Sequence, residues 1–502
     1  LENVELTWAP AARGVPILLG VKGPKALRLA GEIADGVHGA VLTSPNHVRR
    51  IRATAREVRG SCRDEFRVVA YVPVAVGGDG HAARQSVKPL LARYLGVPAI
   101  TRKEFPSEAV PIGKLSLKYL RRAKVMPLVQ QNGTLGADRR RAARGRPGRT
   151  ARPDWRHAGA LLGGHPMPLK FGVHIPTCIE GMMYPVPFAR PSDILPTAVL
   201  CERLGYDSVW GNDHMTTQRY VQREFPQPPN FYEPLITFSY VAARTTKLRI
   251  ATGIIVLPMR GIPVLAKQVA TLDQLSGGRV ILGVGTGAYR EEYEALFPDA
   301  KNVHRGTIVD EGMRALRLLF TERRATFRGT YVHFEEIECF PKPAQNPLPL
   351  YAGGNHPEVR RRAGEYAEGW MPAVLSPEEI KRGIEDIHRY AAKAGRDGSK
   401  IDVAPQFAVS IGRTHEEAGK RFHASQLYKH LESLKNATLR EQTGGFEQRN
   451  LIGSPEEICE RIRIYVEAGV TTLSGMLFVA SSVPEMQEAI ELFGREVIPN
   501  FT

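Results

Sequence analysis

A chain of 502 residues is longer than a typical single domain and calls for two or three. Its 43% apolar and 24% charged residues are those of a soluble globular protein, which excludes a fibrous or wholly disordered chain. The formal charge of +16 would ordinarily suggest nucleic acid, but residues 1–166 carry +17 and residues 167–502 carry −1.

Of that excess, residues 101–166 hold +11, most densely in the arginine-rich run 139–152. The run has glycine and proline but no apolar periodicity, so it reads as a disordered linker. It has no interleaved aromatics, and a nucleic-acid role ranks as a minor alternative. The five cysteines (Cys62, Cys178, Cys201, Cys339, Cys459) are widely spaced, with no C-x-x-C pair or mixed Cys/His pattern. That argues against a disulfide framework and a metal site, and it fits a cytoplasmic protein. No apolar run reaches the ~18 residues needed to cross a bilayer.

The chain repeats itself. Residues 16–36 recur without gaps as 349–369, an offset of 333, with nine identities: Pro16, Gly20, Pro24, Arg28, Ala30, Gly31, Glu32, Ala34 and Gly36. So long a period is not a solenoid's. It indicates a domain duplication, or two adjacent related genes read as one. Three segments follow: 1–105, the C-terminal part of an incomplete second barrel; 106–166, an arginine-rich linker or out-of-frame stretch; and 167–502, a complete domain.

From residue 167 onward, β-rich runs alternate with amphipathic helical runs, the signature of βα units around a parallel sheet. Strands are predicted at 170–176, 207–210, 248–257, 279–285, 348–352, 403–411 and 472–479. Helices are predicted at 194–204, 235–243, 264–275, 311–319, from 357, and at 484–493, with an inserted loop at 326–347. Two S-P-E-E segments, Ser376–Glu379 and Ser454–Glu457, read as capping boxes at helix starts. The fold class is α/β, a (β/α)8 TIM barrel, and its chemistry belongs at the C-terminal strand ends.

Those ends carry Gly211-Asn212-Asp213-His214, Ala251-Thr252-Gly253-Ile254, Gly283-Val284-Gly285-Thr286-Gly287 and Ala352-Gly353-Gly354-Asn355-His356. With 204–214, 248–253, 266–279 and 363–370, they resemble, in order, the motifs of the bacterial luciferase-like family of flavin- and deazaflavin-dependent oxidoreductases. The resemblance implies a luciferase-like barrel and a small organic substrate. Coenzyme F-420 with hydride transfer is the first expectation. FMN with a monooxygenase reaction and a separate reductase is the second. A homodimer is implied as well.

The family places a cis peptide in a strand-three bulge beneath the cofactor ring, here matching Gly253–Ile254, and with Thr252 these residues would bind the cofactor. Gly285, Thr286 and Gly287 would offer flexible backbone beside the ring. Gly353, Gly354 and Asn355 open a helix, whose free amides suit a phosphate. His214 is the candidate proton-transfer residue, with Asp213 to orient it or touch the cofactor. Some relatives place glutamate directly after the G-T-G; here Ala288 stands there. The nearby Glu291 and Glu292 could substitute for it, though the segment reads first as an exposed helix start. Trp210, Phe231, Tyr232 and Tyr289 could line a substrate pocket, but simple packing explains each position at least as well. His356 reads equally as a phosphate contact or a surface residue.

Overall fold

Alternating β and helical periodicity from residue 170 produces a parallel barrel in the computed structural model. The model describes residues 18–20, 24–34, 36–38, 45–59, 67–69, 168–300, 302–434, 439 and 445–501. Strands β1 (Lys170–His174), β2 (Ser208–Gly211), β3 (Arg249–Thr252), β4 (Val280–Gly285), β5 (Leu350–Gly353) and β6 (Gly369–Met371) pair in sequence order. β7 comprises Asp402–Val403 and Gln406–Ile411, and β8 is Thr472–Phe478. All these pairings are parallel.

Closure takes place in β7. Asp402–Val403 pairs with β6, while Gln406–Ile411 pairs with β8, which in turn pairs with β1. The join is continuous, because Ala404 N donates to Trp370 O while Ser474 N donates to Pro405 O. A closed parallel barrel leaves no open sheet edge. Beyond the closure, the upper end of β7 takes Leu451–Gly453 as a further parallel neighbour.

The barrel is filled, not hollow. Trp210, Ala251, Ile281, Tyr351, Met371 and Ala404 form a buried cluster of their own. A Cβ on Gly172 would collide with the Trp210 indole, so glycine is what admits that ring. Trp210 Nε1 donates to Ser208 Oγ at 2.9 Å. With Trp210 wholly buried, it is a core residue, and of the two readings the packing one holds for it.

Local signals account for several boundaries. Helices Pro377–Lys393 and Pro455–Glu467 begin on capping boxes at Ser376 and Ser454. The predicted strand 248–257 carries the bulge the resemblance implied: β3 ends at Thr252, the Gly253–Ile254 peptide is cis as expected, and Ile255–Val256 pairs separately with β4. The predicted loop 326–347 contains an antiparallel hairpin, Ala325–Arg328 with His333–Ile337. Glu311 holds its turn by accepting from the backbone N–H groups of Thr330, Tyr331 and Val332.

In the N-terminal unit, strands Leu18–Gly20, Gly36–His38 and Arg67–Val69 form a parallel sheet with helices Pro24–Ile33 and Pro45–Arg59. Its first pairing, Leu18 with Gly36, sits 333 residues before that of Tyr351 with Gly369. Helix Pro24–Ile33 likewise sits 333 residues before helix Pro357–Tyr366. Leu27, Ala30, Ala34, Val37 and Ile51 form a small core. The linker expected at 106–166 lies outside the described residues.

Candidate active site

The ends of β1 and β2 carry a buried polar chain. His174, at the end of β1, contacts Asn212 Oδ1 through Nε2 at 2.6 Å and Ile175 O through Nδ1 at 3.0 Å. Nothing in the sequence singled out His174, because a histidine inside an apolar strand resembles any other core residue. Burial lowers its pKa to about 4.

Two residues beyond Asn212, His214 meets a carboxylate. Its Nδ1 lies 2.8 Å from Glu292 Oε1, with side-chain exposures of 12% and 3%. Gln218 Nε2 donates to the same Glu292 oxygen at 2.6 Å and lies 3.0 Å from His214 Nδ1. Glu292 Oε2 is buried without a hydrogen-bond partner. The sequence suggested an exposed helix start here, and this is corrected. Helix Arg290–Leu296 is tied down where Arg219 N donates to Glu291 Oε1 at 2.7 Å, and its third residue, Glu292, faces inward. Glu292 therefore places beside His214 a carboxylate that Ala288 cannot offer.

Asp213 does not orient His214. Its Oδ1 accepts from Arg260 Nη2 at 2.5 Å, and its Oδ2 accepts from Arg260 Nε at 3.1 Å and Val256 N at 3.0 Å. Arg260 also pairs with Glu233 at 2.9 Å. Asp213 thus pins the segment after the bulge to β2.

Three strand ends meet beside this pair. A Cβ on Gly285 would lie 2.6 Å from Ile254 Cδ1, and one on Gly353 would collide with Ile254 Cγ2. The Ile254 side chain therefore packs directly on backbone from β4 and β5. Thr252 Oγ1 donates to Gly283 O at 2.8 Å, tying β3 to β4 beneath it. Gly287 has φ +75°, and Arg305 Nη1 donates to Thr286 O at 3.0 Å, bracing the G-T-G loop.

The expected phosphate corner is more occupied than the sequence suggested. Gly354, at φ +125°, donates its N–H to Met371 O. The Asn355 side chain donates to Ala373 O and accepts from Ala373 N, each at 2.9 Å. His356 caps the helix by accepting from Glu358 N at 3.2 Å. The Gly354 amide and the Asn355 side chain are therefore structural, as is His356.

Acid should weaken this region. His174 and His430 are both buried, with pKa values lowered from 6.5 to about 4 and about 3. Between those values and 6.5, the unfolded chain binds protons that the folded chain refuses. Stability is therefore full above pH 6.5 and falls as the pH drops toward 4. At 1.36 kcal/mol per pKa unit, the loss is about 3 kcal/mol for His174 alone. Chemical denaturation between pH 7 and 4.5 measures it, and a flat profile would contradict it.

A closed parallel barrel with a buried histidine–carboxylate pair at the C-terminal strand ends has the architecture of a barrel enzyme. The chain belongs to the luciferase-like monooxygenase family, whose model matches residues 1–161 and, separately, 169–472. It is an oxidoreductase of the luciferase-like type. An FMNH(2)-dependent dimethylsulfone monooxygenase from Pseudomonas putida is 29% identical over 365 residues, 66% of this chain and 95% of that protein. An F-420-dependent glucose-6-phosphate dehydrogenase from Kineococcus radiotolerans is 28% identical over 301 residues, 56% of this chain and 86% of that protein. The crystal structure of the monooxygenase RslO1 from Streptomyces bottropensis superposes with a TM-score of 0.55 at 20% identity, covering 66% of this chain and all of that one. Among the described residues, no helix is long and apolar enough to cross a membrane.

Proposed function

We propose that the barrel takes coenzyme F-420 and transfers hydride to or from a small organic substrate, with His214 moving the accompanying proton. The observation that carries this reading is the buried His214–Glu292 pair. When Nδ1–H donates to Glu292, Nε2 is left as the nitrogen that exchanges a proton with substrate. Glu292 also stabilises the imidazolium that results when Nε2 takes a proton. His214 Nε2 would take the hydroxyl proton of an alcohol, or return it to the oxygen of a ketone in the reverse direction.

The residues present fit a flat ring. Gly253, Ile254, Gly285 and Gly353 bring backbone and one apolar side chain to the mouth, and Thr286 and Gly287 flank them. Gly253, Ile254, Thr286, Gly287, Gly353, Gly354, Asn355 and His214 are all partly exposed, at the open ends of their strands. Bound F-420 would supply or accept the hydride. The chain's own part is to seat the ring, exclude water and hold the proton.

FMN with a monooxygenase reaction is the second reading, supported by the relative named for FMNH(2). It requires a partner reductase. A homodimer is part of either reading. Residues 1–105 are read as a partial copy without catalytic machinery, since the offset of 333 supplies a counterpart only for the Gly353 end, at Gly20.

Titrating the full chain with F-420 and with FMN, followed by cofactor fluorescence, tests the choice. Micromolar or tighter F-420 binding and weaker FMN binding is the expected result. A preference for FMN would move the assignment to the monooxygenase, and binding of neither would end both readings.

A further inference from the structure

Two tyrosine hydroxyls converge on one buried histidine. Tyr220 Oη lies 2.9 Å and Tyr289 Oη 3.2 Å from His430 Nδ1, and Tyr289 donates to Tyr220 at 3.3 Å. Three distant stretches of chain supply them: helix Arg219–Glu224, the N-cap of helix Arg290–Leu296, and helix Gln426–Ser433. The cluster borders the proton-handling pair. The His214 ring centroid lies 6.2 Å from that of Tyr289 and 5.6 Å from that of Phe231.

This wall is neutral. Burial lowers the His430 pKa to about 3 and raises that of Tyr289 to about 12. Charged side chains around it are already engaged. Glu292 faces His214 and Gln218, Glu291 faces Arg219, and Asp213 and Glu233 share Arg260. Arg305 is turned to the Thr286 carbonyl, on the G-T-G side. Among these cations, Arg219 and Arg260 are held by carboxylates and Arg305 by backbone carbonyls, so a phosphate brought against this wall would lose its water and have to displace one of those contacts. An uncharged molecule with one oxygen would lose far less. Its apolar part would pack on Phe231 and Tyr289, and its oxygen would find His214 or a tyrosine hydroxyl.

We infer that the substrate accepted opposite His214 is an uncharged, mostly apolar ketone, enone or alcohol, and not a phosphorylated sugar. The redox step rests on the hydride-transfer reading above: reduction adds hydride from reduced F-420 to carbon and a proton from His214 to oxygen. Binding does not depend on that reading.

Saturation-transfer NMR on the full chain, saturated with F-420, tests the inference using cyclohexanone and glucose 6-phosphate as probes. Cyclohexanone should bind and glucose 6-phosphate should not. Tyr289→Phe, which removes one hydroxyl, should weaken cyclohexanone about threefold to tenfold, the worth of one neutral hydrogen bond. His430→Phe should do at least as much, with circular dichroism to confirm its fold. Stronger binding of glucose 6-phosphate, no binding of cyclohexanone, or indifference to Tyr289→Phe would each overturn it. Failure of the F-420 reading appears separately, in the cofactor titration. The same NMR experiment with FMN then judges the wall on its own.

Discussion

His214→Ala should lower turnover about a hundredfold to a thousandfold while leaving F-420 affinity within about twofold, the usual size of a lost general acid–base. The asymmetry follows from placement. His214 stands beside the glycine-walled strand ends, and its one ionic contact is Glu292 Oε1 at 2.8 Å. Removing the imidazole takes away proton transfer and leaves the backbone seat of the ring intact. Glu292→Gln is the sharper test, because it keeps the volume. Its amide can donate to Nδ1 and so hold the opposite tautomer, with the proton on Nε2. A histidine locked that way cannot take a proton at Nε2, and the logic is that of the aspartate in a Ser-His-Asp triad. Turnover should fall at least tenfold. Equal loss of F-420 binding in both variants would instead make the pair a cofactor-binding element.

The barrel was legible because its signals are long and redundant. Periodicity marked seven of the eight strands, and the S-P-E-E segments marked two helix starts that the structure caps through Ser376 and Ser454. β6 went unread because it spans only Gly369–Met371, too short for any alternation to register. Local features were legible where a strand end carries unusual residues, as at Gly253, which begins the cis peptide, and His214, which the structure sets against a carboxylate. It was illegible where partners come from distant segments. Glu292 is 78 residues from His214, and His430 is 210 residues from Tyr220. One-dimensional spacing cannot show which way a short helix turns its third residue, so Glu292 read first as part of an exposed helix start. Asp213 misled for the opposite reason: adjacency to His214 suggested a pair, whereas successive residues at a strand end point to opposite sides. Asn355 shows the same limit, since its helix-opening position gave no sign that Ala373 would take its side chain.

Asp213→Ala should therefore damage the fold before it damages chemistry. Asp213 is 1% exposed and receives two guanidinium bonds from Arg260, itself 11% exposed, together with the Val256 amide. Truncation leaves a desolvated arginine facing a cavity and an unpaired backbone N–H. Breaking a buried pair in this way costs about 3–5 kcal/mol. Glu233 stays at 2.9 Å from Arg260 and keeps the loss toward the lower end of that range. Asp213→Asn should be milder, because one carbonyl oxygen can still accept from Val256. Urea denaturation of both variants measures this. A midpoint unchanged by Asp213→Ala, accompanied by a collapse in turnover, would return the residue to catalysis. The expected outcome is the reverse, a lower midpoint with near-normal turnover in whatever fraction stays folded. That result would leave proton handling to His214 and Glu292, with Asp213 holding β2 to the segment that follows the bulge.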